Sequence, residues 1–372
     1  MIDIREATSK KDLKTFVKFP FGLYKGSKYW VPPIIKDELE TFNKDKNPAF
    51  LDADAHFFLA YKNGKLVGRV AAIVNWIEIK EQKLSKMRFG WFDMIDDLEV
   101  SGALLDKVAE IGRSHKLEYM EGPVGFSNLD KVGVLTEGFD HIGTMITWYN
   151  HPYYEKHLIH HGLIKEKEYL ENKFPFENVK PKYFERVQNL VKKRYQLRQL
   201  NFTKTKDIMP YVDQMFDLFN EAYASLSSFV PINDIQKAYF KERYLNFINP
   251  EFIKFVVDKD DKLVAFAIVM PSFAEALQKM KGKLFPFGIF HLLKARKKPK
   301  NITFYLIGVH PEYQNKGLTA ILFMEYYLTF TPKGIETCIR TPELIENTAI
   351  HKLWKHFEPV THKRRKTYKR NL

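Results

Sequence analysis

The sequence predicts an α/β protein built as two like halves in tandem, and three observations carry that expectation. A β-hairpin in the first half, Phe57–Tyr61 and Leu66–Val74 about the turn Lys62-Asn63-Gly64-Lys65, returns in the second as Phe252–Asp258 and Leu263–Met270 about Asp260-Asp261. Asn-Gly between two apolar runs is the strongest short hairpin signal. The order of elements is also the same in both halves: edge strand, helices, hairpin, strand, helix, strand, helix, strand. Finally, 372 residues suffice for two domains with separate cores. The domains are expected at 1–175 and 176–372, with Pro175 to Pro181 as the linker.

In the first half, Ile2-Asp3-Ile4-Arg5 alternates as an edge strand does, and Thr8 to Asp12 caps a helix through Phe16. Tyr29-Trp30-Val31-Pro32-Pro33 reads as a stiff aromatic–proline loop. Phe89–Asp93 is a strand and Val100–Gly112 the helix after it. Between them lie Asp96, Asp97 and Glu99 and no glycine. Carboxylates at a helix N-terminus satisfy its amides from within and repel an anion. Glu121 to Asp140 reads as a glycine-bearing irregular loop, either a binding loop or a packed connector. Pro152–Leu163 is a helix, and the run to Phe174 a strand. His157 and His161 share a helical face, but no H-E-x-x-H pattern or cysteine partner accompanies them, so a solvated helix is expected and not a metal site.

In the second half, Lys182–Leu200 reads as a basic helix bridging the domains. Helices follow at Asp207–Tyr223 and near Ile232–Phe247. Ala276–Lys300 is an insertion with eight Lys or Arg, no Asp or Glu, and an apolar middle from Leu284 to Leu293. Such a segment suits a peripheral membrane contact, a lid over a greasy substrate, or an arm packed on its own domain. The most informative stretch comes next. A strand at Ile302–Ile307 passes through Gly308, Val309 and His310-Pro311 to Gln314-Asn315-Lys316-Gly317-Leu318-Thr319-Ala320, and an apolar run continues at helical spacing. Strand, glycine-bearing turn and helix start in this order make an anion trap. The first-turn amides and the positive end of the helix dipole point above the turn, Gly317 lets backbone approach a ligand, and Lys316 adds charge. Gly334–Arg340 reads as a buried strand. His362–Arg370 suits a final edge strand guarded by lysines more than a nucleic-acid tail, since no helix-turn-helix, zinc-finger or aromatic RNA-binding pattern is present.

Bulk properties narrow the class. Apolar residues at 45% and charged residues at 28% describe a packed chain and exclude a disordered one. Cys338 is the single cysteine, which excludes an intrachain disulfide framework and fits a reducing compartment. The N-terminal MIDIREATSKKDL has no apolar core and no apolar run approaches a membrane span, so the expectation is a cytoplasmic protein without a secretory leader. Residues 1–175 carry 25 Lys and Arg against 26 Asp and Glu, so the net charge of +14 lies in the half that holds the glycine turn. A basic domain concentrates anions such as coenzyme phosphates or an acidic carrier protein.

Gln314-x-x-Gly317-x-Thr319, following Val309-His310-Pro311, resembles the acyl-CoA-binding signature of the GNAT superfamily of N-acyltransferases, Gln/Arg-x-x-Gly-x-Gly/Ala. Thr319 stands where the family prefers Gly or Ala. The resemblance implies two tandem GNAT-like domains, each a mixed, mostly antiparallel sheet flanked by helices, with a coenzyme loop only in the second. It further implies that Gln314 to Ala320 hold the diphosphate of acetyl-CoA or another acyl-CoA. Ile307, Gly308 and Val309 would pair with the pantetheine arm, and Asn347 would orient it. The family's usual acid, a Tyr seven residues after that Asn, is Trp354 here, and the Glu of some members eleven residues before the glutamine is Thr303. Tyr305 and His310 are the remaining acid–base candidates. The implied activity is transfer of an acyl group, acetyl in the first instance, to the amine of a small molecule or from an acyl-carrier thioester, without a metal. The alternative is a non-catalytic CoA- or acyl-chain-binding protein, peripheral to a membrane.

Overall fold

Asn63 and Gly64 take φ of 52° and 74°, the left-handed pair that a two-residue hairpin turn requires. A computed structural model, which describes residues 1–127, 129–226, 229–244 and 248–372, builds outward from this hairpin. The first half contains β1 (Ile2–Glu6), α1 (Lys10–Leu23), α2 (Ile35–Thr41), β2 (Ala53–Lys62), β3 (Lys65–Asn75) and α3 (Trp76–Lys80). It continues with β4 (Lys86–Met94), α4 (Leu98–Ser114), β5 (Tyr119–Gly122), β6 (Val134–Glu137), α5 (Tyr153–His160) and β7 (Ile164–Pro175). The second half runs α6 (Pro181–Tyr195), β8 (Arg198–Asn201), α7 (Thr205–Ile208), α8 (Val212–Tyr223), α9 (Asp234–Tyr244), β9 (Ile253–Val257) and β10 (Leu263–Pro271). After these come α10 (Ala274–Met280), α11 (Gly288–Lys297), β11 (Asn301–Val309) and α12 (Thr319–Phe330). The chain ends with β12 (Thr337–Arg340), β13 (Glu343–Leu344), α13 (Thr348–Trp354) and β14 (Val360–Asn371).

The chain forms two compact units, Met1–Leu170 with Phe273–Leu292 and His362–Leu372, and Glu171–Ser272 with Leu293–Thr361. These differ from the contiguous halves in three places, because strand pairing and apolar burial, not chain order, decide membership. Both units follow one plan. In the first, β1, β2, β3 and β4 are successive antiparallel neighbours, β4 and β5 are parallel, and β5 is antiparallel to β14. In the second, β8, β9, β10 and β11 are antiparallel neighbours, β11 and β12 are parallel, and β12 is antiparallel to the Lys173–Pro175 end of β7. Each unit is therefore completed by a strand from elsewhere in the chain.

Three expectations are corrected. The basic helix stops early: Gln196 turns left-handed at φ 52°, so Arg198–Asn201 becomes the edge strand β8, and α6 belongs to the second unit. The irregular loop contains β6, which pairs with Arg364–Lys366. The last strand is not an edge: it pairs with both β5 and β6, and Lys363, Arg365, Thr367 and Tyr368 are buried. Its charges are neutralised within the first unit, Arg364 on Glu137 and Glu168, Lys366 on Glu155, Lys369 on Glu166 and Arg370 on Asp106. That use of the basic run leaves a nucleic-acid tail without support. The helix expected near Ile232–Phe247 is α9; residues 245–247 lie outside the described residues.

The first unit packs on both faces of its sheet. Val100, Leu104 and Val108 of α4 cover one face with Val70 and Phe89, and Phe16 and Val17 of α1 cover the other with Phe57 and Trp91. A chain of charges is also buried there. Arg88 grips Glu78 with two bonds of 2.7 Å, Lys86 lies 2.8 Å from Glu78 and 3.0 Å from Glu121, and Lys167 lies 3.2 Å from Glu121.

Candidate active site

The site begins with an irregularity in β11. Ala267 pairs with Ile307 and Ile268 with Leu306, but Val269 pairs with Phe304, so Tyr305 is an extra residue, a β-bulge. The bulge breaks the alternation of faces, and Phe304, Ile307 and Val309 all pack toward the core of the second unit. Tyr305 and Thr303 thus do not share a regular strand face. Of β11, Asn301–Phe304 pair with β12, and beyond the bulge the two parallel strands part. The Thr341 N–H, donating to the Phe304 carbonyl at 3.3 Å, marks where they separate. Along the parted edge the Tyr223 hydroxyl, at the end of α8, donates to the Ile307 carbonyl at 3.1 Å. Burial pushes this phenol up to about 12.

Past Val309 the chain turns at His310-Pro311 and enters the glycine corner. Asn315 and Gly317 adopt φ of 59° and 81°. Gln314 Nε2 donates to the Val309 carbonyl at 3.3 Å, which folds the turn back on the strand end. The N-cap of α12 is Leu318, whose buried apolar side chain cannot accept a hydrogen bond. No acceptor among the described residues receives the N–H groups of Asn315, Gly317, Leu318 and Thr319. Lys316 is exposed, and its ammonium lies 5.4 Å from the Tyr195 ring centroid and 5.5 Å from that of Tyr313. A strand that has parted from its parallel neighbour thus leads into a helix start whose first amides meet no acceptor among the described residues, all within the second unit.

The other candidate residues are placed as follows. Gly308 is needed for packing, because a Cβ there would strike the Phe266 ring. The Leu318 and Ala320 side chains are buried, so they can offer a ligand only backbone. Asn347 caps α13, its Oδ1 accepting from the Ile350 N–H at 3.2 Å. His310 has both ring nitrogens engaged: Nδ1 accepts from the Glu312 N–H at 3.3 Å, and Nε2 lies 3.3 Å from Glu221. Trp354 is buried against Phe174, Phe304 and Phe323, with the Arg340 guanidinium 4.8 Å from its ring centroid. Burial pushes Arg340 down to about 9, and it pairs with Glu343. The position that carries an acid in the resembling family is here part of the core. Sequence reasoning missed Tyr223, which lies at a helix end with no spacing signal to mark it.

The corresponding corner of the first unit is closed. Trp91, at φ 44°, marks a bulge of the same kind in β4. At the end of that strand the Met94 N–H donates to Tyr154 Oη at 3.2 Å, and the Tyr153 hydroxyl donates to the Met94 carbonyl at 2.6 Å. Asp97 caps α4 by accepting from the Glu99 N–H at 3.0 Å, and Lys62 bonds Asp97 at 2.6 Å and Glu99 at 2.9 Å. His157 of α5 and His161 just after it turn inward on Ser101, His157 Nδ1 and His161 Nε2 each 2.9 Å from its Oγ. Asp97→Ala removes the cap and should cost the protein about 1 kcal/mol in a denaturant titration. CoA affinity should not move.

No protein-family model matches the chain. Among solved structures, a tandem GNAT protein from the clavulanic acid biosynthesis pathway superposes with a TM-score of 0.57 at 10% identity, covering 100% of this chain and 98% of the other. The fold is that of a tandem GNAT protein. A GCN5-related N-acetyltransferase from Sphaerobacter thermophilus agrees, with a TM-score of 0.53 at 9% identity and 100% and 95% coverage. By sequence, the chain is 25% identical over 380 residues to Protein YghO of Escherichia coli K12, spanning 99% of this chain and 95% of the relative. It is 24% identical over 309 residues to a protein named bacterial ceramide synthase from Caulobacter vibrioides, spanning 82% and 79%. A tandem GNAT fold accounts for the repeated strand order. Among the described residues no helix is long and apolar enough to cross a membrane, and no cluster of His, Cys, Asp and Glu is arranged to hold a metal ion.

Proposed function

We propose that the protein is an N-acyltransferase whose second unit holds an acyl-CoA and passes its acyl group to an amine. One observation carries this reading: beyond Phe304, β11 has parted from β12 and runs directly into a helix start where four N–H groups meet no acceptor among the described residues. An extended pantetheine arm has amides of its own and can lie along the parted edge as an added strand. The diphosphate then meets the amides of Asn315 to Thr319 and the positive end of α12, with Gln314, Lys316 and Ala320 around it. Asn347 retains its Nδ2 to donate to the arm. The closed corner of the first unit, sealed by Tyr153, Tyr154 and Asp97, supports one coenzyme per chain.

Aminolysis of a thioester rests on positioning and on polarising the carbonyl by strand amides. The amine nitrogen bonds to the carbonyl carbon, the carbon–sulfur bond breaks, and the nitrogen loses a proton while the thiolate gains one. Tyr223 is assigned as the donor to sulfur, since a phenol held near 12 stays protonated at neutral pH and faces the open edge. Tyr305 at the bulge is the group nearest the opened edge to pass the proton of the amine to water, and His310 at the turn could take it only once Nδ1 or Nε2 leaves its present partner. The acceptor class to test first, beside simple amines with acetyl-CoA, is a long-chain amino alcohol, because one relative bears the name ceramide synthase.

Release of free thiol from acetyl-CoA and longer acyl-CoAs, measured with and without each amine, tests the reading. Amine-dependent release is expected. Tyr223→Phe should lower kcat by about 100-fold, the low end for loss of a general acid, and leave KM for acyl-CoA little changed. An unaltered kcat would remove Tyr223 from this role. A second reading, a non-catalytic coenzyme-binding protein, is favoured by Thr303 and Trp354, which are buried and cannot serve as acid or base. It would prevail if CoA bound and no acceptor released thiol.

A further inference from the structure

The insertion between β10 and β11 has one face in the protein and one in water. Its base belongs to the first unit, where Leu277 and Met280 of α10 are buried. Gln278 Nε2 donates to the carbonyls of Lys28 and Trp30 at 2.9 and 3.0 Å, and the Gly282 carbonyl accepts from the Ile35 N–H at 3.0 Å. Gly282, at φ 78°, lies so near α1 and α2 that a Cβ would come within 2.6 Å of the Phe21 ring and 2.9 Å of Ile35 Cγ1. The expectation of an arm packed on its own domain, 176–372, is corrected: the insertion packs on Phe21, Lys28, Trp30 and Ile35 of the first half, because its buried apolar side chains belong to that unit.

The outer face is different. Phe285, Phe287 and Phe290 are 70%, 74% and 64% exposed. Single exposed apolar residues need no explanation, but three exposed phenylalanines within six residues are a concentration of apolar surface of the kind that marks a contact. Lys279, Lys281 and Lys283, all exposed, precede it, and residues 276–300 contain no carboxylate side chain. We propose that this tip docks on an anionic bilayer surface, the three phenyl rings entering the interface and the lysines meeting lipid phosphates. Charge decides the occupant. A second copy meeting this patch across a two-fold axis would set lysines against lysines, with no acid in the segment to offset them. An anionic interface satisfies both the rings and the lysines, and the absence of a spanning helix among the described residues makes the attachment peripheral. The proposal holds whether or not the second unit transfers acyl groups.

Flotation of the full chain with phosphatidylcholine vesicles, with and without phosphatidylglycerol, is the test. Binding is expected only to the phosphatidylglycerol vesicles and should weaken with salt. Phe285→Ser, Phe287→Ser and Phe290→Ser together should lower partitioning at least about tenfold. Lys279→Glu, Lys281→Glu and Lys283→Glu together should lower it on the order of 100-fold. CoA affinity and thermal unfolding serve as controls and should match the parent. Failure of the parent to float, or equal flotation of either triple variant, would overturn the proposal. So would a parent dimer that the serine variant converts to monomer without any vesicle dependence, which would make a second copy the occupant.

Discussion

Gly317→Glu is expected to lower the affinity of the full chain for CoA by on the order of 1000-fold in a calorimetric titration. Three costs converge on this residue. Its φ of 81° is one that side chains avoid, at roughly 1 kcal/mol. A Cβ would press against Val187 Cγ1 and Val191 Cγ2 of α6, each 3.3 Å away, and tilt the turn. The new carboxylate would also take up the free amides that the diphosphate needs. Losing two hydrogen bonds to a charged group, at roughly 1.5–3 kcal/mol each, already accounts for the effect. Gly317→Ala, which adds the strain but no charge, should lose only about tenfold. Unchanged affinity in the glutamate variant, with unfolding like the parent's, would remove the corner from the coenzyme site.

Glu121→Gln should destabilise the protein by roughly 3–5 kcal/mol at neutral pH, read from the denaturant midpoint. Burial by itself would raise this carboxyl, but the charges of Lys86 and Lys167 and their hydrogen bonds overcome it and hold Glu121 at about 2. Removing the negative charge leaves both ammonium groups buried without it, although Lys86 keeps its ion pair with Glu78. The sign of the pH dependence follows. A carboxyl whose folded pKa lies below its unfolded value of about 4.5 contributes stability that is complete above that value and lost as pH falls toward 2. The parent should therefore weaken across that window, and the glutamine variant should lack this component. Equal midpoints at pH 7 would show that the buried chain of charges is not coupled as its geometry indicates.

Much of the fold was legible because its signals are local. Asn63-Gly64 can take two left-handed residues at no great cost, so the hairpin was readable from the dipeptide. Asp97 before an apolar run marks a helix start that caps itself. Gly317 after a β-rich run marks one that does not. The readings that failed depended on distant partners. The alternating charges of His362–Arg370 look the same on an edge as inside a sheet, and it takes distant groups to make the interior position tolerable, carboxylates such as Glu137, Glu155, Glu166 and Glu168 and the Ile142 carbonyl that accepts from Lys363. Lys182–Leu200 is helical by composition until Gln196 reverses its backbone.

By itself, the sequence determined the hairpins, the glycine corner and the lack of an acid at Thr303 and Trp354, because each is a matter of local backbone preference or side-chain chemistry. The tertiary structure alone decided which strand completes which unit, where β11 acquires its bulge and parts from β12, and that Tyr223 faces the opened edge. Those outcomes arise from pairing and packing between segments far apart in the chain, and no short window of residues encodes them.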